Sequence, residues 1–494
     1  MIIAVDIGTT STKVILFDAK GNVIFQVNEN YPTIHTDGLR SEQNPELIFA
    51  AVLKGLMDCL AYNSEAIIEG VSFSSAMHAL IAVDAHCEEL TPCIIWSDNR
   101  AYKQAEEINS NEILANEIYK ITGTPIHSMS PFTKLIWLKR HAPEIFNTAY
   151  KFIGIKEYVL WRLTGKFIID YSIASATGLL DIQTKKWSEK CLTLTGITEN
   201  QLSELVSPYQ KEAFNIQISA ANFQLSTFSY EKLKTDCANL KIIIGGSDGG
   251  LANWGSGARA IGDAVISIGT SGAMRLMSDK PFFDAQRRTF CYVFDENLYL
   301  IGGGTNAGAG VLQWLHDSFF GLTDPMSDFL KLADEISVGS ENLLFLPYIN
   351  GERAPIWNAH IRGSFLCMGA LHTRAHAVRA AMEGVIFHLN LLNQILKESH
   401  SITRIIAGGG FAHSTRWVQI LADVFNMKIE ITETVEISAL GAAMVGVTAL
   451  ELSELPNPNI SATYIPHSEN IEKYKLHQKR FIAAYDAVKN ISKA

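Results

Sequence analysis

The stretch Met1-Ile2-Ile3-Ala4-Val5-Asp6-Ile7-Gly8-Thr9-Thr10-Ser11-Thr12-Lys13 decides how this chain is read. Its apolar run from Ile2 to Val5 predicts a buried strand with Asp6 at the end. Gly8-Thr9-Thr10-Ser11 then predicts a tight turn, and Lys13 to Phe17 a returning strand. A carboxylate at a strand end, beside turn amides and hydroxyls, suits a magnesium–phosphate complex. The amides and hydroxyls would meet phosphate oxygens, and the acid would hold Mg²⁺ through its waters. A plain β-hairpin has the same chemistry. The design recurs about 260 residues later as Ala264-Val265-Ile266-Ser267-Ile268-Gly269-Thr270-Ser271-Gly272, followed by Ala273-Met274-Arg275-Leu276. Two Gly-Thr hairpins of one type predict two related domains facing each other across a phosphoryl-transfer cleft.

The 494 residues suffice for two to four domains with real cores. A hydrophobic content of 47% with 19% charged residues is ordinary for a globular protein. No apolar run reaches the roughly eighteen residues of a membrane span, and no leader-like segment precedes the first strand, so a cytoplasmic protein is expected. The seven cysteines are scattered without a C-x-x-C pair, which fits reduced thiols rather than a disulfide or zinc framework. A net charge of −10 without a long basic tract argues against nucleic acid as a partner.

Residues 45–62 show helical spacing, with Asn44 as N-cap and Pro45 in the first turn. Short strands are expected at Ile67 to Ser72 and Leu80 to Val83, then a long polar and helical region to Trp161. An irregular stretch from Ser207 to Asn239 leads to a strand, Leu240 to Ile244, that ends at Gly245-Gly246-Ser247-Asp248-Gly249-Gly250. Domains are expected over 1–246 and 247–452, with a terminal loop and helix over 453–494. In the second half, strands at 264–276 and 290–301 precede Gly302-Gly303-Gly304 and a helix at 308–320. A long helix at 375–398 carries apolar residues at helical spacing. Strand Arg404 to Ala407 enters Gly408-Gly409-Gly410 before a helix at 415–426. The last helix of this half, 438–450, is rich in small residues and suits close packing against a neighbour.

The two glycine triplets read as strand-to-helix turns that bring backbone close to a nucleotide, or else as tight packing. Asp248, in a glycine-flanked turn, reads either as a carboxylate that accepts a proton from a substrate hydroxyl or as the N-cap of the next helix. Met77-His78 and Trp96-Ser97-Asp98-Asn99-Arg100 combine polar groups with an indole, as a polyol pocket requires. Asp98 and Arg100 also suit a simple ion pair.

Asp6 to Lys13, Met77-His78, Trp96 to Arg100 and Gly408-Gly409-Gly410 together resemble the FGGY carbohydrate kinases. Met129-Ser130-Pro131-Phe132-Thr133-Lys134-Leu135-Ile136-Trp137-Leu138 is similar to that family's amino-domain signature. Ile155-Lys156-Glu157-Tyr158, Leu163-Thr164-Gly165 and Asp170-Tyr171-Ser172 fit as well, and His372-Thr373-Arg374-Ala375-His376 to Met382-Glu383-Gly384 fits the second signature. The resemblance spans about residues 1–455. It implies an α/β fold of two actin-like, ribonuclease-H-like domains flanking a central catalytic cleft. It implies ATP and Mg²⁺ as cofactors, with Asp248 as catalytic base and Asp6 and Asp248 near the metal. Thr9, Thr10, Ser11, Lys13, Gly269, Thr270, Gly304, Gly308, Gly310, Gly409, Gly410 and His413 would form the nucleotide site. Met77, His78, Trp96, His127 and Asp248 would meet the sugar. Two departures stand out: Cys367 replaces a usual glycine, and His413 replaces a smaller or amide side chain.

Within the family, Phe73 to His78, Leu90 to Ile94, Gly123 to His127 and Gly154 to Tyr158 are most similar to the branch acting on gluconate. The implied reaction is ATP-dependent conversion of D-gluconate to 6-phospho-D-gluconate. Xylulose kinases share the Met-His pair and the Trp-x-Asp-x-Arg core and form the near alternative. The substrate carboxylate would need a donor, with His78, His127 and Lys156 as candidates. A nucleotide-driven actin-like module without metabolic activity is the reading of another class, and a sugar-responsive repressor would need a DNA-binding domain. The partner expected is a small sugar or sugar acid, with no nucleic acid and no membrane; a homodimer is left open.

Overall fold

The computed structural model describes residues 1–62, 67–217, 237, 239–434 and 436–491. Strands β1 (Ile2–Ile7), β2 (Ser11–Phe17) and β3 (Val23–Asn30) form an antiparallel meander. Helix α1 (Pro45–Tyr62) follows, and Asn44 Oδ1 accepts the N–H groups of Glu46 at 2.8 Å and Leu47 at 3.3 Å, as its capping position predicts. Strand β4 (Gly70–Ser75) runs parallel to β1. Farther along, β5 (Lys211–Ala213) and β6 (Lys241–Ser247) complete a sheet of order β5-β6-β4-β1-β2-β3.

The second half repeats this pairing. Strands β7 (Asp263–Ile268), β8 (Gly272–Ser278), β9 (Phe290–Val293), β10 (Tyr299–Thr305), β11 (Arg404–Gly408), β12 (Ile429–Thr432) and β13 (Ile460–Tyr464) lie in the order β9-β10-β8-β7-β11-β12-β13. Strand β7 pairs antiparallel with β8 and parallel with β11, as β1 does with β2 and β4. The duplicated Gly-Thr hairpin therefore occupies the same place in both sheets.

Several elements differ from their sequence expectation. The strand expected from Ile67 starts at Gly70, and Ile67 is exposed. The stretch 290–301 divides into two strands, because a turn at Asp295 to Asn297 folds β10 back on β9. Gly302-Gly303-Gly304 lies inside β10 and not in a strand-to-helix turn. A Cβ on Gly302 would lie 2.3 Å from the Met274 carbonyl oxygen, and one on Gly303 2.6 Å from Ala354 and Leu392, so close packing excludes side chains there. Strands β12 and β13 were not anticipated; β13 is an edge strand, largely exposed, without a buried apolar stripe. Most of the irregular stretch expected over 207–239 lies outside the described residues.

Five further helices frame the cleft: α2 (Asp248–Gly255), α3 (Ala309–Trp314), α4 (Arg374–Ser399), α5 (Ile437–Ala449) and α6 (Ser468–Val488). The small-residue helix α5 leaves its own sheet and packs on β1 and β4 of the first half and on α2. Its glycines explain how. A Cβ on Gly446 would lie 2.2 Å from Ile2 Cδ1, one on Gly441 2.0 Å from the Leu251 carbonyl oxygen, and one on Gly255 1.9 Å from that of Ile437. An apolar cluster of Ile2, Ala4, Phe17, Leu251, Ala442 and Met444 fills this junction between the halves.

Backbone cannot move aside as a flexible side chain can. Gly441→Ala should therefore lower stability by about 2 kcal/mol, overpacking outweighing the roughly 1 kcal/mol of helix propensity gained. Urea denaturation checks this; an unchanged midpoint would show that α2 and α5 separate freely.

Candidate functional site

Two carboxylates lie where the sheets meet. Asp6, on β1, sits opposite Lys13 of β2 and Ser74 of β4, and Ser74 Oγ donates to its Oδ1 at 2.7 Å. Burial raises its pKa to about 6; the Ser74 hydrogen bond holds it down, the Asp248 charge pushes it up, and Lys13 and Glu436 make smaller contributions of opposite sign. Strand β6 delivers the second acid. The cap of α2 is Ser247, whose Oγ accepts the Gly250 N–H at 3.3 Å. Asp248 is the first helical residue, and its Oδ1 accepts only the N–H of Gly249, at 2.6 Å. Burial raises the Asp248 pKa, against the opposing pull of Arg275 on β8. The carboxylate thus lies between Asp6 of the first sheet and Arg275 of the second.

Both hairpin turns close on a glycine N–H, the first over four residues and the second over three. Gly8 N–H donates to Ser11 O and Gly269 N–H to Ser271 O, both at 2.9 Å. Helix α3 is sewn to the second turn by Ala309 N–H to Gly269 O at 2.7 Å and Gly310 N–H to Thr270 O at 3.0 Å. Cβ atoms on Gly308 or Gly310 would collide with that turn, which assigns both glycines to packing. Cβ atoms on Gly269, Gly408 and Gly410 would meet nothing within 4 Å, so bare backbone borders open space at the ends of β7 and β11. Gly409 has φ +98° and a Cβ there would lie 2.5 Å from Ile268 O, a position that only glycine fits. Thr10, Thr270, Gly409, Gly410 and His413 are exposed along this rim. Lys13 donates to Glu436 at 2.6 Å, a partner that sequence reading did not single out. Gly304 stands apart from the rim, inside β10, where a Cβ would lie 3.2 Å from Arg353 Nη1. Cys367 adopts φ +61°, the left-handed region that favours the glycine it replaces.

A small cavity beside the first turn is lined by Gly8, Thr9, Met77 and Trp96. Thr9 Oγ1 accepts the Trp96 indole N–H at 2.9 Å. His78 pairs through Nδ1 with the Ala176 carbonyl at 2.8 Å, which makes Nδ1 the protonated nitrogen. Lys134, fully buried, donates to the carbonyls of His78 at 2.7 Å, Ile95 at 2.8 Å and Ile94 at 3.1 Å. It ties the Met77-His78 segment to the one bearing Trp96, a role invisible in the pattern of its helix. Burial pushes His78 down to about 3, helped by the Lys134 charge. His127, packed 5.4 Å from the Trp357 ring, is pushed down to about 3 by burial and the Arg353 charge. Both imidazoles are neutral near pH 7. Lys156 is committed to a buried ion pair with Asp170. None of the three expected carboxylate donors therefore offers a free positive charge. Asp98 and Arg100 form a bidentate pair at 2.8 and 2.9 Å, which settles their structural role.

Residues 1–225 match the N-terminal domain, and residues 264–450 the C-terminal domain, of the FGGY family of carbohydrate kinases. The chain belongs to the FGGY family of carbohydrate kinases. It is 39% identical to the gluconokinase of Bacillus subtilis (strain 168), over 97% of this chain and 94% of that protein. The gluconate kinase structure from Lactobacillus acidophilus superposes with a TM-score of 0.92 at 35% identity, covering 99% of this chain and 98% of that one. A ligand-bound xylulose kinase from the same organism gives 0.93 at 35% identity with the same coverage. As an FGGY kinase, the protein is a phosphotransferase with an alcohol acceptor and ATP as donor, not an actin-like module without metabolic activity. Among the described residues, no helix is long and apolar enough to cross a membrane.

Among the described residues of this FGGY kinase, no group of three or more His, Cys, Asp or Glu could hold a metal unaided. Two buried acids, one raising the pKa of the other, fit instead a cation carried on the nucleotide's phosphates, the way Mg²⁺ is commonly bound. Asp6 must be ionised for this. Because its pKa is raised to about 6, kcat/KM for ATP should fall as pH drops through about 6. Ser74→Ala removes the hydrogen bond that holds the acid down and should move this limb upward by about one pH unit. A profile flat to pH 5 in both proteins would exclude Asp6 from the ionised working set.

Proposed function

We propose that this kinase transfers the γ-phosphoryl group of ATP to the 6-hydroxyl of D-gluconate, giving 6-phospho-D-gluconate and ADP. The observation that carries the chemistry is the Asp248 carboxylate: released from capping by Ser247, raised in pKa by burial, and set beside Asp6 between the sheets. The full-length likeness to gluconokinases supports the substrate.

In this reading the acceptor oxygen forms a bond to the γ-phosphorus as the bond to the bridging β–γ oxygen breaks, and Asp248 takes the hydroxyl proton. Thr10, Ser11, Thr270, Gly269, Gly409 and Gly410 present amides and hydroxyls to the phosphates from both hairpins and the β11 end, and His413 stands at the outer rim. Lys13 is held in line by Glu436. Magnesium, when bound with the nucleotide near Asp6 and Asp248, would offset charge on the phosphates. Trp96 covers carbon-bound hydrogens of the sugar, and Met77, His78 and neutral His127 shape its pocket. Enclosure between the lobes keeps water from competing as acceptor. Six buried free thiols and the exposed Cys367 suit the reducing cytoplasm proposed as its location.

Coupled ADP release over gluconate, xylulose, ribulose and glycerol tests the substrate. Gluconate should be preferred; turnover of xylulose without gluconate would transfer the assignment to the second reading, with which the likeness to a ligand-bound xylulose kinase structure is compatible. Asp248→Asn should lower kcat by about 10³-fold with little change in either KM, the loss of a general base. Near-normal turnover would remove Asp248 from that role.

A further inference from the structure

Two guanidinium groups that sequence reading passed over reach the cleft from the second half. Arg275 is the one residue of β8 that is not buried. It lies against the start of α2, where a Cβ on Gly249 would be 2.7 Å from its Nε. A cation at a helix N-terminus is unfavourable, and the adjacent Asp248 charge offsets it. Arg275 therefore belongs to the reacting end of the site.

Arg353 stands beside Trp96. Its Nε donates to Asn306 Oδ1 at 2.9 Å and its Nη2 to Thr305 O at 3.2 Å, which fixes the plane of the guanidinium. That plane lies over the Trp96 ring at 5.1 Å. The charge acts on both His78 and His127, so it stands close to all three pocket rings. Among the described residues, Nη1 donates no hydrogen bond and no salt bridge reaches the group. The neighbouring Glu352 favours the charged guanidinium through space, while its Oε1 accepts the backbone N–H groups of Asn306 and Arg353, both at 2.7 Å. A second donor is nearby. Tyr292, 1% exposed, has a hydroxyl without a hydrogen-bond partner, and its ring lies 6.2 Å from that of His78.

A half-buried guanidinium with an unused Nη1 and a buried hydroxyl without a partner both hold donor capacity that a substrate acceptor would meet. We propose that Arg353, through Nη1 and assisted by the Tyr292 hydroxyl, binds the carboxylate of an aldonate substrate and makes the site selective for sugar acids over neutral sugars. The proposal rests on the gluconate reading. An aldonate carries its carboxylate at the opposite end from the hydroxyl that would meet Asp248. A ketose presents only hydroxyls there and leaves Nη1 unmatched. Arginine suits the task better than lysine, because its planar fork is always charged and pairs with carboxylate oxygens.

The test compares kcat/KM for gluconate with that for its neutral analogues gluconamide and D-glucitol, in wild type, Arg353→Gln and Tyr292→Phe. Wild type should favour gluconate. Arg353→Gln should cut the gluconate-to-gluconamide ratio about 10- to 100-fold, mainly through KM, the size of a charge-assisted hydrogen bond. Tyr292→Phe should cut it about 3- to 10-fold, as a neutral hydrogen bond would. If wild type does not turn over gluconate, the functional reading falls. If wild type prefers gluconate and Arg353→Gln keeps that preference, this proposal falls while the functional reading stands. Thermal melts without ligand establish that Arg353→Gln is folded; should it not be, Tyr292→Phe decides, and an unchanged ratio in that variant overturns the two-donor site.

Discussion

Ser247, rather than Asp248, satisfies the free amides at the start of α2, and the chemistry of the cleft depends on that choice. Had Asp248 been the cap, several backbone N–H groups would bind its carboxylate and depress its pKa, leaving a poor proton acceptor. Ser247 is itself held in place. Its N–H donates to Ser172 Oγ at 2.8 Å, Ser172 Oγ donates to Asp170, and Asp170 is paired with Lys156. A buried ion pair on the first half thus fixes the residue next to the acid. Such a pair is weak evidence for stability, because desolvation offsets attraction, but it holds a geometry firmly.

The second constraint is the departure of α5 from its own half. Three glycine contacts bring its backbone against α2 and β1, and this junction sets how far Asp6 on β1 stands from Asp248 on α2. Glu436, one residue before α5, reaches Lys13 from the same position. That ion pair is partly exposed, and pairs of this kind contribute at most about 1 kcal/mol. The glycine packing therefore holds the lobes together, and the Lys13–Glu436 pair orients an ammonium at the edge of the first turn.

What was legible in the sequence followed the period of its buried strands. Val5-Asp6-Ile7-Gly8-Thr9 and Ile266-Ser267-Ile268-Gly269-Thr270 announce two equivalent hairpins because each strand is apolar on both faces up to a glycine turn. Helix α5 was readable from its alanines and glycines, though not the neighbour it packs against. The triplet Gly302 to Gly304 misled, because glycines demanded by packing on two faces of a strand look identical to glycines in a phosphate loop. Strand β13 carries no buried stripe to read. Lys134, Arg275 and Arg353 lack any periodic signal: each is a cation whose partners come from distant segments, and only the fold brings them together.

Burial is the main reason why the pocket histidines are neutral, and nearby cations add to it. Lys134 is enclosed by three carbonyls, and Arg353 is stacked on an indole. Each additional proton on His78 or His127 would meet an existing positive charge in a desolvated space, so both rings stay unprotonated. Negative charge also enters the cleft at Asp248, which raises the cost of ionising Asp6. Acids and bare hairpin backbone therefore share the cleft with a guanidinium that keeps one nitrogen unused beside the aromatic rings. A ligand that carries both a hydroxyl and a negative charge can meet both features when its hydroxyl lies at Asp248.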